Sequence, residues 1–183
     1  MKYGKFLCAI MVLTIMLSAC TVNPQQLLGF KGSDKIANDT CTQIIEAIKQ
    51  QNTVELKTLF SPIVQNNNDT LEQDIDELLN FVQGDITSFS QTGILPEYTK
   101  NNGEQTRTIK SSFHIETNTN TYCIAIKECA VDTMNAQNIG IISLYIIDAA
   151  VWNSDYVYYG GGEWEQGVNI QTAAPIYEDW KTD

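Results

Sequence analysis

The chain has 183 residues, 43% hydrophobic and 18% charged, which suits one compact domain. Acids outnumber bases 22 to 11, giving a formal net charge of -11 and a pI near 4.4. That balance excludes the clustered Lys and Arg of a nucleic-acid surface or of a basic membrane patch, and four prolines with eleven glycines exclude a fibrous chain.

The first twenty residues read as an address. Lys2 and Lys5 open the chain, an apolar run extends from Phe6 to Leu17, and Leu17-Ser18-Ala19-Cys20 closes it. A positive start, a short apolar stretch and small residues at the end make a secretory signal peptide. Twelve apolar residues fall short of the roughly 20 that a membrane-crossing helix needs. Leu-Ser-Ala-Cys resembles the bacterial lipobox, whose cysteine receives a diacylglyceryl group and further acyl chains such as palmitate. The resemblance implies cleavage after Ala19, lipid on Cys20 and residence on the outer face of the cell membrane. Two or three acyl chains anchor stably, at about 0.8 kcal/mol per buried CH₂. Removing 19 residues from 183 leaves 164, and losing Lys2 and Lys5 takes the net charge from -11 to -13. The chain then divides into a leader (1–19), a lipidated tether (20–33) broken by Pro24, Gly29 and Gly32, one domain (34–172) and a polar tail (173–183).

After processing, Cys41, Cys123 and Cys129 remain, an odd number that cannot all pair within one chain. Cys123 and Cys129 lie six apart on one expected strand, roughly 20 Å, beyond disulfide reach. Cys41 paired with either of them, or three buried thiols, are the open readings. One histidine and no C-x-x-C leave no zinc pattern, and no cofactor or metal is expected.

In chain order, apolar residues at Ala37, Cys41, Ile44, Ile45 and Ile48 predict a helix over 38–50. Asn52 with Glu55 predicts a short second helix through Phe60, ended by Ser61-Pro62. Leu71, Ile75, Leu78, Leu79 and Val82 predict a third over 69–83, with Asp69 and Glu72 as capping box and Gly84 as stop. From Asp85 the period becomes that of β-structure. Ile86 to Thr92 reads as a strand, Gly93 to Glu104 as a polar loop, and Arg107 to Thr117 as a strand turned back by Asn118-Thr119-Asn120. Thr121 to Asp132 and Ile139 to Asp148 read as long strands, and the stretch after Asp148 as less regular.

Three helices followed by about four antiparallel strands imply an α+β layer packing. That order resembles the cystatin-like cone of the nuclear-transport-factor-2 superfamily. Cys41 to Ile48, Leu56 to Ser61, Leu79 to Ser88 and Asn138 to Ile146 resemble an uncharacterised lipoprotein family of low-GC Gram-positive bacteria. The resemblance runs over roughly residues 36 to 172, through packing motifs, so it implies a fold and a location without a reaction. It also implies a cavity between sheet and helices suited to a small apolar ligand.

In the superfamily's isomerases and dehydratases an acid and a tyrosine or histidine point into that cavity. The candidates here are His114, Glu116, Tyr122, Tyr145 and Asp148. His114 and Glu116, two apart, share a strand face, an arrangement fit for proton transfer and equally for a solvated strand. No G-x-S-x-G accompanies His114, and Gly160-Gly161-Gly162 lacks the Lys-Ser/Thr of a phosphate loop. Asp132, Asn135 and Asn138 offer oxygens in one hairpin, as a weak calcium site or as an Asx-rich turn.

The end of the chain is aromatic: Trp152, Tyr156, Tyr158 and Trp164 stand among Asp155, Glu163 and Glu165. Such rings stack on a glycan, anchor a protein partner, or complete the core as a last hairpin. Three functional readings follow. The first is a non-catalytic module binding a small ligand or partner. The second is a homodimeric assembly protein using apolar residues of the sheet face, such as Ile124 and Ile126 or Ile142 and Leu144. The third is an isomerase- or hydratase-like enzyme using His114 or Asp148.

Overall fold

A computed structural model describes residues 32–152 and 164–172. The leader, Cys20, most of the tether, Tyr156, Tyr158 and the tail lie outside the described residues. Among the described residues four helices precede the sheet: α1 (Ser33–Lys49), α2 (Thr53–Thr58), α3 (Pro62–Asn67) and α4 (Leu71–Phe81). The strands are β1 (Ile86–Asn101), β2 (Glu104–Thr117), β3 (Thr121–Asp132) and β4 (Gly140–Asp148). A short helix α5 (Ala149–Trp152) and a fifth strand β5 (Gly167–Gln171) follow, in the sheet order β1-β2-β3-β4-β5.

The fold is therefore α+β as expected, with more elements. α1 reaches back to Ser33, which is buried, so the last residue assigned to the tether belongs to the helix. Ser61-Pro62 opens α3 and does not end α2, because a proline at the first helical position has no needed N–H to lose. α4 starts at Leu71 with Thr70 at its N-cap. The expected Asp69–Glu72 box does not form, and Thr70 Oγ1 donates instead to Asp74 at 2.8 Å. The helix stops at Val82, ahead of Gly84.

The expected loop from Gly93 to Glu104 is mostly strand. β1 runs on to Asn101, and Asn102-Gly103 makes a two-residue hairpin turn with φ 49° and 90°. Pro96 is tolerated there because β1 is the edge of the sheet and its missing N–H breaks no ladder. The last strand corrects the hairpin reading: β5 pairs with β4 in parallel, Ser143 opposite Gly167 through Ile147 opposite Gln171. A parallel neighbour cannot be reached by a tight turn, which is why the approach to it lacked strand periodicity.

One face of the sheet carries the core. Phe113, Ile115, Ile124, Ile126, Leu144 and Ile146 meet Cys41, Ile44, Ile45, Leu56, Ile75 and Leu78 from the helices, all of them buried. The layer between sheet and helices is thus built of apolar side chains, aliphatic and aromatic. Ile124, Ile126 and Leu144, considered above for a dimer face, are part of it, and Ile142 is half-buried. The outer face carries a smaller cluster of Cys123, Ala125, Tyr145, Ile147 and Val151, with Trp164 packed on it.

Candidate functional site on the outer face of the sheet

Alternation sends His114, Ser112 and Lys110 of β2 to the outer face, opposite Cys123, Ala125 and Lys127 of β3. β4 continues the rows with Ile147, Tyr145 and Ser143. Two of these side chains hold the segment that leads into β5. Tyr145 Oη accepts the N–H of Glu165 at 3.0 Å, and Ser143 Oγ donates to the carbonyl of Trp164 at 2.9 Å. Between those bonds Trp164 adopts φ 58°, the left-handed region that bulky residues avoid. Its indole meets the Tyr145 ring edge-on, centroids 5.8 Å apart. Ala125, between Ser112 and Tyr145 in the register, is small enough to leave the indole room.

Trp164 thereby walls a groove of about 340 Å³, whose other sides include Gly93, Leu95, Lys110 and Ser112. Leu95 is 55% exposed, while Lys110 donates to Glu97 at 2.8 Å. Lys127 stands directly opposite Lys110, half-buried, and makes no ion pair or hydrogen bond among the described residues. A second hollow of about 300 Å³ is bordered by Ile63 of α3, Thr108, Cys129, Ile142 and Gln166.

The candidate residues separate. Trp164, Tyr145 and His114 share the outer face, although Tyr145 is buried with its hydroxyl engaged. His114 is half-buried opposite Cys123 and Ser90, and its Nε2 is buried with no hydrogen-bond partner. Glu116 shares that face, but its carboxylate accepts from Ser88 Oγ at 2.8 Å. Asp148 lies opposite Tyr122, on the helix side, and accepts from Asn120 Nδ2 at 3.5 Å. The fold does not bring Asp148 to His114. Tyr122 is a fastener: its hydroxyl accepts from Gln83 N at 3.0 Å and donates to Phe81 O at 3.3 Å, tying the end of α4 to β3. Trp152 is the last residue of α5.

Asp132 closes its turn as an Asx motif. Its oxygens accept from Met134 N at 2.9 Å, Asn135 N at 3.0 Å and Asn138 Nδ2 at 2.8 Å, bonds that hold its carboxyl below the usual range. Cys41, Cys123 and Cys129 are all free and buried.

Sequence reasoning overlooked Glu128, a carboxyl 5% exposed on the helix side of β3. Thr40 of α1 donates to its Oε2 at 2.8 Å, Oε1 has no partner, and burial pushes its pKa up. A charged residue between two inward apolar neighbours was the available signal.

The fold and groove define a helix-and-sheet domain with one aromatic-walled face and no assembled acid–base pair among the described residues. The chain belongs to the family described as a domain of unknown function (DUF5104), whose model matches residues 43–149. No curated protein matches the chain. The matched residues run from α1 to the start of α5, so Trp164 and β5 lie beyond them.

Proposed function

We propose that this protein is a lipid-anchored extracytoplasmic module that binds a small ligand in the outer-face groove without transforming it. The observation that carries the reading is Trp164. Its backbone is held in a disfavoured conformation by Tyr145 and Ser143, and the result is an aromatic wall on a groove. Strain at a bulky residue persists where the surrounding structure over-determines it, and such sites are commonly functional. The order of helices then antiparallel strands favours the cystatin-like cone of the nuclear-transport-factor-2 class as the finer description, in the lipoprotein family that the packing motifs resemble. Lys2, Lys5, the apolar run and Leu17 to Cys20 support the anchor on the outer face of the membrane.

Two experiments test the reading. Labelling of cells with an alkyne fatty acid marks the wild-type chain, and Cys20→Ala removes the label and releases the protein. A labelled Cys20→Ala chain overturns the anchor. Native mass spectrometry of the gently purified protein shows a small-molecule adduct that Trp164→Ala loses, and an adduct indifferent to Trp164 overturns the groove. A second reading, a homodimer through this face, is favoured by the exposure of Leu95 on the edge strand β1. An apo dimer that Leu95→Asp dissociates would replace the ligand reading with it.

A further inference from the structure

We infer that the second hollow, bordered by Ile63, Thr108, Asp132 and Gln166, is a binding site for an uncharged polyhydroxyl compound such as a sugar. It shares no lining residue with the aromatic groove, so the inference stands apart from the ligand reading above. The strand ladders break here on both sides of β3. Between β2 and β3 the register shifts at Arg107 and Thr108, and between β3 and β4 at Lys127 and Glu128. The second shift leaves Ile142 as an extra residue, and Ile142 lines the hollow. Bulges bend a strand, re-aim its side chains and recur beside functional sites.

Uncommitted hydrogen-bonding groups converge on this place. Thr106 and Thr108, two apart on β2, both border the hollow, and their hydroxyls make no hydrogen bond among the described residues. The side-chain amide of Gln166 is equally uncommitted. Thr106 faces Asp132 across the ladder. Met134 N, Asn135 N and Asn138 Nδ2 fix the Asp132 carboxylate, so it is oriented before a ligand arrives. The same bonds keep it ionised, and an ionised carboxylate takes hydroxyl protons in short, strong hydrogen bonds. Asn138 keeps one amide proton and its carbonyl oxygen for a further partner.

Aliphatic surface completes the lining: Ile63 is 36% exposed and Ile142 half-buried. Hydroxyls set around a C–H face are what a sugar ring offers to such a surface, and about 300 Å³ accommodates one ring. No basic side chain borders the hollow among the described residues, and the Asp132 charge repels an anion. Cys129 donates to Val131 O at 3.4 Å and burial raises its pKa, so it offers no thiolate to attack the ligand.

Saturation-transfer NMR on the full-length protein in nanodiscs tests this. The probes are the methyl glycosides of glucose, galactose, mannose and N-acetylglucosamine, with glucuronate and glucosamine as charged controls. A neutral glycoside binds, and more tightly than either charged sugar. Thr106→Val with Thr108→Val removes two hydroxyls while keeping strand-forming residues, and weakens that binding about tenfold. Asp132→Asn weakens it at least as much; should that variant unfold, the threonine pair decides alone. A glycoside bound equally well by the threonine variant, tighter binding of a charged sugar, or no neutral glycoside bound at all overturns the inference. None of these outcomes touches the groove, whose own test is the Trp164-dependent adduct.

Discussion

Tyr145 and Trp164 lean on each other: the phenol accepts the N–H of Glu165 while its ring braces the indole edge-on at 5.8 Å. Tyr145→Phe keeps the ring contact and strips the acceptor from a backbone N–H. An unmet polar group of this kind costs about 1–3 kcal/mol. The expected outcome is a modest fall in denaturation midpoint together with faster amide exchange at Glu165. An unchanged exchange rate there would show that the hydroxyl does not hold the segment.

Gly140 tolerates no side chain. Its φ is 125°, and a Cβ would stand 2.7 Å from the backbone nitrogen of Ser61. That nitrogen is committed, donating to Ile141 O at 2.9 Å, while Ile141 N donates to Leu59 O at 2.9 Å. Gly140→Ala must therefore push the α2–α3 junction off β4, at a cost of about 2 kcal/mol or more. Equilibrium urea unfolding measures it, and a loss under 0.5 kcal/mol would contradict the close approach.

Glu128 gives the stability a pH dependence of known sign. Burial raises its folded-state pKa above the ordinary 4.5, against the smaller lowering effect of the Thr40 hydrogen bond. Below 4.5 the group is protonated folded or unfolded and exacts no penalty. As pH rises from 4.5 through the raised value, the native state keeps a proton that the unfolded chain has released, so stability falls. Glu128→Gln removes that slope. The variant is expected to melt higher than wild type at pH 8 and to converge with it below pH 4.5. A variant less stable at pH 8 would mean that the carboxylate is needed charged.

Cys41 and Cys123 are pushed up to about 12 by burial, so neither presents a thiolate near neutrality. Alkylation at pH 8, mapped by peptide mass spectrometry, should mark both only at the rate of global unfolding. Rapid labelling of either in the native protein would contradict the packing.

Much of this was legible from residues alone. The stripes through Cys41 to Ile48 and Leu71 to Val82 placed two helices, because one buried face suffices to fix a helix. Asn118-Thr119-Asn120 marks the reversal between β2 and β3, but the loop also takes in Thr117, so that Glu116 and not Thr117 faces Thr121, a one-residue difference that the turn residues alone do not encode. Other elements were not legible for definite reasons. β1 beyond Gly93 is solvent-facing on an edge, so its sequence shows little apolar alternation and a proline disguises it. Asn102-Gly103 was the overlooked signal, the strongest short hairpin mark a sequence carries. β5 pairs in parallel with β4, the preceding strand, some two dozen residues earlier, a pairing that no local pattern encodes. The groove suffered likewise: Trp164 was visible as an aromatic, but its wall depends on Tyr145 and Ser143, two strand residues whose outward direction only pairing reveals.

The placement of β5 has a kinetic consequence. β1 to β4 form a chain of sequential hairpins, each closed by a short turn, and such local pairings form early. β5 joins in parallel, after a crossover, and brings Trp164 with it. The wall of the groove is then the last part of the sheet to assemble and the first to detach, with an opening free energy below that of the core. A molecule can be fully folded by any measure of its helix-side core while its binding face is still undone, so occupancy of the groove would close the sheet's final seam.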